Sequence, residues 1–207
     1  MKTLYIIDGH AQFFRAYYAI RSPMSSPATG EPTNMVYGFT SMLLKLLRDE
    51  KPNYLAVVID VSSDKETFRS EIDPDYKANR EPPPDDFGSQ VDRCLEILEV
   101  LQIPVLGEAI VEADDVIASL VKRMRFEHPA MKIRIISRDK DLTQLIDEKV
   151  ELFDAHKETT VSPDDVFKTP DMGIHASMVA DILALMGDSS DNIPGVQGIG
   201  PKTAAKL

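Results

Sequence analysis

Cysteine is nearly missing from this chain: its 207 residues hold Cys94 alone, so no internal disulfide can form and no Cys-ligated metal is indicated. An intracellular home is the expectation. Long apolar runs are missing as well. The start, residues 1–10, has an apolar run of a few residues broken by Asp8, and no later stretch approaches membrane length, so neither export nor membrane anchoring is supported. Positive charge is scarce: 23 Lys and Arg face 34 Asp and Glu, a net charge of −11. That total argues against a nucleic-acid partner, because phosphate neutralisation needs Lys and Arg.

What is present is an ordinary globular composition, 43% hydrophobic and 28% charged, sized for one or two domains with a substantial core. No internal repeat or low-complexity tract interrupts it. Periodicity and punctuation predict a strand over 3–8, helices over 11–19 and 35–48, and a second buried strand over 54–60. A polar stretch over 61–86 ends in Pro82, Pro83 and Pro84 and is long for a mere connection. There follow a helix over 88–101, a strand over 104–107, a helix over 113–126, a strand over 132–137, a short helix over 140–146 and a strand near 149–153. This alternation predicts an α/β fold with a mainly parallel sheet flanked by helices. Beyond about residue 160 the pattern turns helical, at 163–167 and 175–186, before a Gly-rich turn and one last short helix. The expected division is an α/β domain over 1–160 and a helical region over 161–207.

Nine acids fall where such a fold could gather them: Asp8, Asp60, Glu112, Asp114, Asp115, Asp139, Asp141, Asp188 and Asp191. Most follow a short apolar run or open a helix, and in a parallel sheet the strand carboxyl ends share one edge with the helix starts. Taken singly, each acid is a turn former or helix cap. Three acids in the four residues from Glu112 to Asp115 exceed what capping needs. Gathered acids repel each other unless hard cations hold them, which points to Mg²⁺ or Mn²⁺. Setting these nine aside brings the charge from −11 to −2, so the sign that matters to a nucleic acid is local.

Two further stretches carry chemistry. From Gly195 to Lys202, glycines allow a tight turn, Pro201 suits a helix start, and the spacing of Gly198, Gly200 and Lys202 matches a helix-hairpin-helix that grips a DNA backbone. Between the second strand and the prolines, Lys65, Arg69, Lys77 and Arg80 interleave with Phe68 and Tyr76, a mixture suited to single-stranded nucleic acid. Six acids dilute this stretch, and on composition alone a solvated charged loop is the better reading.

With these residues in hand, the chain resembles the 5′-nuclease (flap endonuclease) superfamily, and within it the N-terminal 5′→3′ exonuclease domains of bacterial DNA polymerase I. The resemblance covers essentially the whole chain. It rests on Ile7-Asp8-Gly9, Gly30-Glu31-Pro32 with Tyr37-Gly38, Tyr76-Lys77-Ala78-Asn79-Arg80, Glu112-Ala113-Asp114-Asp115, Asp139-Lys140-Asp141-Leu142 and Gly187-Asp188-Ser189-Ser190-Asp191-Asn192-Ile193-Pro194-Gly195-Val196. One departure is Asp60-Val61-Ser62, where related domains carry Asp-Ala-Lys.

The resemblance implies a PIN-like, resolvase-like fold followed by a helix-hairpin-helix at about 187–207 that continues beyond Leu207. It implies that all nine acids bind two Mg²⁺ or Mn²⁺ ions for phosphodiester hydrolysis, with K⁺ at the hairpin turn. Residues 61–86 would be the arch for a 5′ flap, with Lys77 and Arg80 facing the scissile phosphate. Arg15, Tyr76, Lys77, Arg80, Gly195, Gly198, Gly200 and Lys202 would contact DNA. The implied substrates are 5′ flaps, nicks and RNA primers in replication and repair, acted on by a cytoplasmic monomer at the nucleoid, with a polymerase domain in the full-length protein. A non-catalytic DNA-binding fragment and a PIN-type ribonuclease are the competing expectations.

Overall fold

A computed structural model describes residues 2–20, 22–161 and 174–207. Its central sheet has strand order β3-β2-β1-β4-β5-β6. The strands are β1 (Thr3–Asp8), β2 (Tyr54–Val58), β3 (Val105–Leu106), β4 (Lys132–Ile136), β5 (Val150–Asp154) and β6 (Thr159–Val161). All neighbours run parallel except β6, which returns antiparallel along β5. The chain builds outward from β1 through β2 to β3 and then crosses to β4 on the other side of β1. That reversal opens a crevice at the carboxyl ends of β1 and β4, where α/β proteins place their ligands.

Alternation along β1 divides the core. Tyr5 and Ile7 join Val57, Ile136 and Phe153 on one face, covered by Phe13 of α1 (Gly9–Ala19), Phe39 and Leu43 of α2 (Asn34–Glu50) and Leu98 of α4 (Phe87–Val100). Leu4 and Ile6 join Val58, Ile133, Ile135 and Leu152 on the other, under Ile117 and Val121 of α5 (Ala113–Glu127). β1 and β2 are near-continuous apolar runs, as strands covered on both faces require, whereas β4 and β5 carry Arg134 and Glu151, which pair with each other. Val179 and Ile182 of α6 (Val179–Met186) and Ala204 of α7 (Pro201–Ala204) pack into this second cluster. The C-terminal helices therefore share the core of the sheet.

The expected elements are found, with corrections. The strand near 149–153 turns back as β6, whose three residues show no period. The stretch 61–86 is not bare loop: it carries a 3₁₀ turn, Asp64–Glu66, closed by reciprocal Ser63 and Glu66 bonds, and a short helix, α3 (Phe68–Ile72). Residues 141–145 form a 3₁₀ helix, and the expected 175–186 helix begins as a 3₁₀ turn, Ala176–Met178. The expected helix at 163–167 lies outside the described residues. Gly187–Asp188 (β7) and Ile193–Pro194 (β8) form a small antiparallel hairpin. Its base is so tight that a Cβ on Gly195 would lie 2.2 Å from the Met186 carbonyl carbon, and Gly187 has φ +71°. Glycine is needed at both positions.

Candidate metal and nucleic-acid site

The β1–β2 register pairs Asp8 with Val58, and the β1–β4 register pairs Ile7 with Ile136, so Asp8, Asp60 and Asp139 emerge at one edge. Asp8 is 5% exposed. Its Oδ1 accepts the Ala11 N–H at 3.2 Å, capping α1, and its Oδ2 accepts the Ser137 hydroxyl at 2.7 Å. Asp60 Oδ1 accepts the Ala113 N–H at 2.8 Å, which ties the end of β2 to the start of α5. His10 Nδ1 lies 3.3 Å from Asp60 Oδ2 but accepts the Asp60 backbone N–H at 3.1 Å. That acceptor role requires an unprotonated Nδ1, and burial lowers the His10 pKa, so this contact is not an ion pair.

Burial, followed by the charges of Asp8 and Asp139, pushes Asp114 up to about 8. Burial raises Asp8 to about 6 against its two hydrogen bonds, and burial with Asp139 and Asp188 raises Asp141 to about 6. None of these three carboxyls forms an ion pair among the described residues.

Glu112, Asp115, Asp188 and Asp191 are compensated. A cleft of about 570 Å³ is lined by Glu112, Asp114, Asp115, Asp139, Asp141, Asp188 and Asp191, and by Arg69, Lys77, Arg80, Arg138 and Lys140. Arg69 makes a bidentate bond to Asp115 at 2.5 and 2.8 Å and holds that carboxyl below its usual range. Lys77 Nζ donates to Glu112 Oε1 at 2.8 Å, and Arg80 Nη2 to Asp191 Oδ1 at 2.6 Å. Burial would raise Asp188, but Lys140 Nζ at 2.8 Å and the Ser190 N–H outweigh it and leave the carboxyl lowered. The Tyr76 hydroxyl reaches both Glu112 (3.1 Å) and Asp191 (3.2 Å). Burial, then those two charges, raise its pKa, which keeps it a donor.

The solvated-loop reading of 61–86 thus gives way. The Lys77 side chain is 8% exposed, and the stretch is stitched to the β7–β8 loop by Lys77 N–H to Asp191 O (2.9 Å), Asn79 Nδ2 to Ser189 O (2.8 Å) and Asn192 Nδ2 to Asp75 O (2.7 Å).

The acids fit a hard cation. One oxygen each of Asp141, Asp188 and Asp191 lie within 4.8 Å of one another, and buried Asp141 Oδ1 has no hydrogen-bond partner among the described residues. An orphaned buried carboxylate oxygen in an all-oxygen cluster is what Mg²⁺ or Mn²⁺ would satisfy.

Two family models match the chain: the N-terminal resolvase-like domain of 5′-3′ exonucleases over residues 3–170, and their C-terminal SAM fold over residues 174–207. The chain belongs to the 5′-3′ exonuclease family. It is 41% identical to a 5′-3′ exonuclease of Aquifex aeolicus over 207 residues, covering all of this chain and 69% of that protein. It is 41% identical to DNA polymerase I of Mycobacterium tuberculosis and 42% identical to that of Deinococcus radiodurans, in each case over 99% of this chain. It spans only 22% and 20% of those two polymerases. Its fold matches T5 5′-exonuclease solved with zinc ions, at a TM-score of 0.80 and 24% identity over 99% of this chain and 74% of that one. A T5 flap endonuclease solved with DNA and metal ions matches at 0.77, with the same identity and coverage.

Not every expected residue of this exonuclease chain joins the cleft. Arg15 Nη1 pairs with Asp154 Oδ1 at 2.7 Å and does not line it. Gly195 serves the hairpin base, Gly198 adopts φ +81° in open space, and Gly200 precedes α7 with Lys202 exposed in its first turn. The cluster contacts of Arg69 and Lys140, the Ser137 bond to Asp8 and the His10 contact with Asp60 escape sequence reasoning. The available signal for Lys140 was its place between two acids in Asp139-Lys140-Asp141.

Proposed function

We propose that the chain is a divalent-metal-dependent structure-specific nuclease that hydrolyses phosphodiesters of DNA, and of RNA primers, near a free 5′ end at flaps and nicks. The observation that carries this reading is the cleft itself, where acids from three chain segments converge with basic side chains from the 61–86 stretch. Asp8, Asp60, Glu112, Asp114, Asp115, Asp139, Asp141, Asp188 and Asp191 would hold two Mg²⁺ or Mn²⁺ ions. The chemistry that ions held by these residues would supply is a water of lowered pKa and neutralisation of charge on the leaving oxygen.

The chain's own groups do the rest. Ser137 and the Ala11 N–H orient Asp8, and the Ala113 N–H orients Asp60, so these acids are preset by their hydrogen bonds. Lys77 and Arg80, resting on Glu112 and Asp191, are the cations to meet the scissile phosphate. Tyr76 stays a hydroxyl donor between the two acids. The region from Gly195 to Lys202 would hold duplex DNA with K⁺ in its turn, reading junction shape and leaving base edges unread. We place the domain boundary near 160, as the helical region's duplex role requires, and read the protein as a cytoplasmic monomer that works at the nucleoid, with a polymerase domain in the full-length form, as in the polymerase relatives. No described helix is long and apolar enough to cross a membrane.

The test is cleavage of a 5′-labelled flap DNA in Mg²⁺ and in EDTA. Release of the flap in Mg²⁺ alone supports the reading. Tight binding without cleavage would favour a non-catalytic DNA module, and preference for single-stranded RNA a ribonuclease.

A further inference from the structure

Five basic side chains line the cleft, and four of them are spent on its acids: Arg69 on Asp115, Lys77 on Glu112, Arg80 on Asp191 and Lys140 on Asp188. Arg138 differs. It sits between Ser137 and Asp139 in the loop after β4, yet its Nε lies 3.3 Å from Asp154 Oδ2, a carboxylate at the end of β5 outside the cluster. The other oxygen of Asp154 takes Arg15 at 2.7 Å and the backbone N–H groups of His156 (3.0 Å) and Lys157 (3.2 Å). Asp154 is buried. One carboxylate thus anchors two guanidinium groups, and the trio keeps a net positive charge. The Arg138 side chain is 53% exposed, and its two terminal nitrogens have no acceptor among the described residues.

We propose that Arg138 is a substrate-contacting residue that binds a backbone phosphate of the nucleic acid at the lip of the cleft, and that Asp154 is the positioning residue holding Arg138 and Arg15 for it. The inference rests on the nuclease reading above. A guanidinium whose Nε side faces its carboxylate partner leaves its terminal nitrogens as a planar fork, the geometry that takes phosphate oxygens in pairs. An anchored arginine also loses less freedom on binding than a solvated one. Because the anchor is not a cluster acid, this cation stays in place whatever the cluster binds. In a cleft dominated by acids, one positive charge that is not neutralised there gives the polyanion a foothold.

The experiment measures binding and cleavage of a 5′-flap DNA by wild-type protein and by R138Q, R138K and D154N, across a salt series, with Mg²⁺ binding titrated on each DNA-free protein. R138Q is expected to weaken DNA binding and raise KM about tenfold, with kcat within about twofold. Its slope of log affinity against log salt should fall by about one. R138K should restore the slope with only part of the affinity, D154N should weaken binding less than R138Q, and Mg²⁺ affinity should be unchanged in R138Q and R138K. A wild-type protein that cleaves while R138Q matches it in affinity and salt slope overturns the proposal alone. A wild-type protein that neither binds nor cleaves the flap overturns the nuclease reading and this inference with it.

Discussion

The two sides of the cleft use the same residue type to opposite effect. Asp8, Asp114 and Asp141 form no ion pair among the described residues, and their proton affinities rise to about 6, 8 and 6. Asp115 and Asp188, at a helix start and in a hairpin, are met by Arg69 and Lys140, and their proton affinities fall. Asp114 and Asp115 are consecutive in the first turn of α5, so it is the Arg69 partner that separates them.

The largest expected effect breaks the sheet-edge side directly. Asp139→Asn should lower flap cleavage by about 10³-fold or more while leaving DNA binding within a few-fold; turnover at the wild-type rate would remove Asp139 from the chemistry. A sharper contrast lies in stability without metal. Asp114→Asn should raise the unfolding free energy at neutral pH by roughly 2–4 kcal/mol, since it removes a carboxyl that is ionised in the unfolded chain but must take up a proton in its folded surroundings. Asp115→Asn should lower it by about 1–2 kcal/mol, because the Arg69 fork loses its partner on a part-exposed site. Urea denaturation in EDTA checks both, and shifts of the same sign would erase the distinction. Mg²⁺ at a hundredfold excess over its dissociation constant should add about 2.7 kcal/mol, seen as a rising melting temperature; a flat titration counts against a preformed site.

The smallest effect concerns protons. Carboxyls whose folded pKa is raised above the unfolded value destabilise the fold when ionised, so stability is gained as pH falls through the folded pKa. With Asp114 near 8, metal-free protein should gain about 1 kcal/mol between pH 8 and 7, with further gain near 6 from Asp8 and Asp141. Melting in EDTA across this range tests it, and a stability that falls with pH there would reverse the assignment.

The sheet and its acids were legible because short apolar runs ended in carboxylates, and parallel register then put the strand ends level. The charge partners were not. Lys77, Arg80 and Arg69 lie among six acids that hide them in any compositional count, and only the hydrogen bonds to the β7–β8 loop show the stretch folded back onto the cleft. Arg15, assigned to DNA by resemblance, rests on Asp154, a pairing across 139 positions that no local pattern encodes. β6 and the turn at 64–66 escape notice, and the segments 141–145 and 176–178 read as α-helix, for a simpler reason: three to five residues are too few to display a period.

The stitching between residues 75–79 and 189–192 bears on how the protein is made. These bonds span 110 or more positions, and in a chain synthesised from its N-terminus the hairpin acids arrive long after Asp8, Asp60 and Asp139 have found their strands. Closing so distant a loop must wait for both partners. The wall of the cleft that carries Asp188 and Asp191 therefore cannot close until long after the strands that carry the other acids have been synthesised.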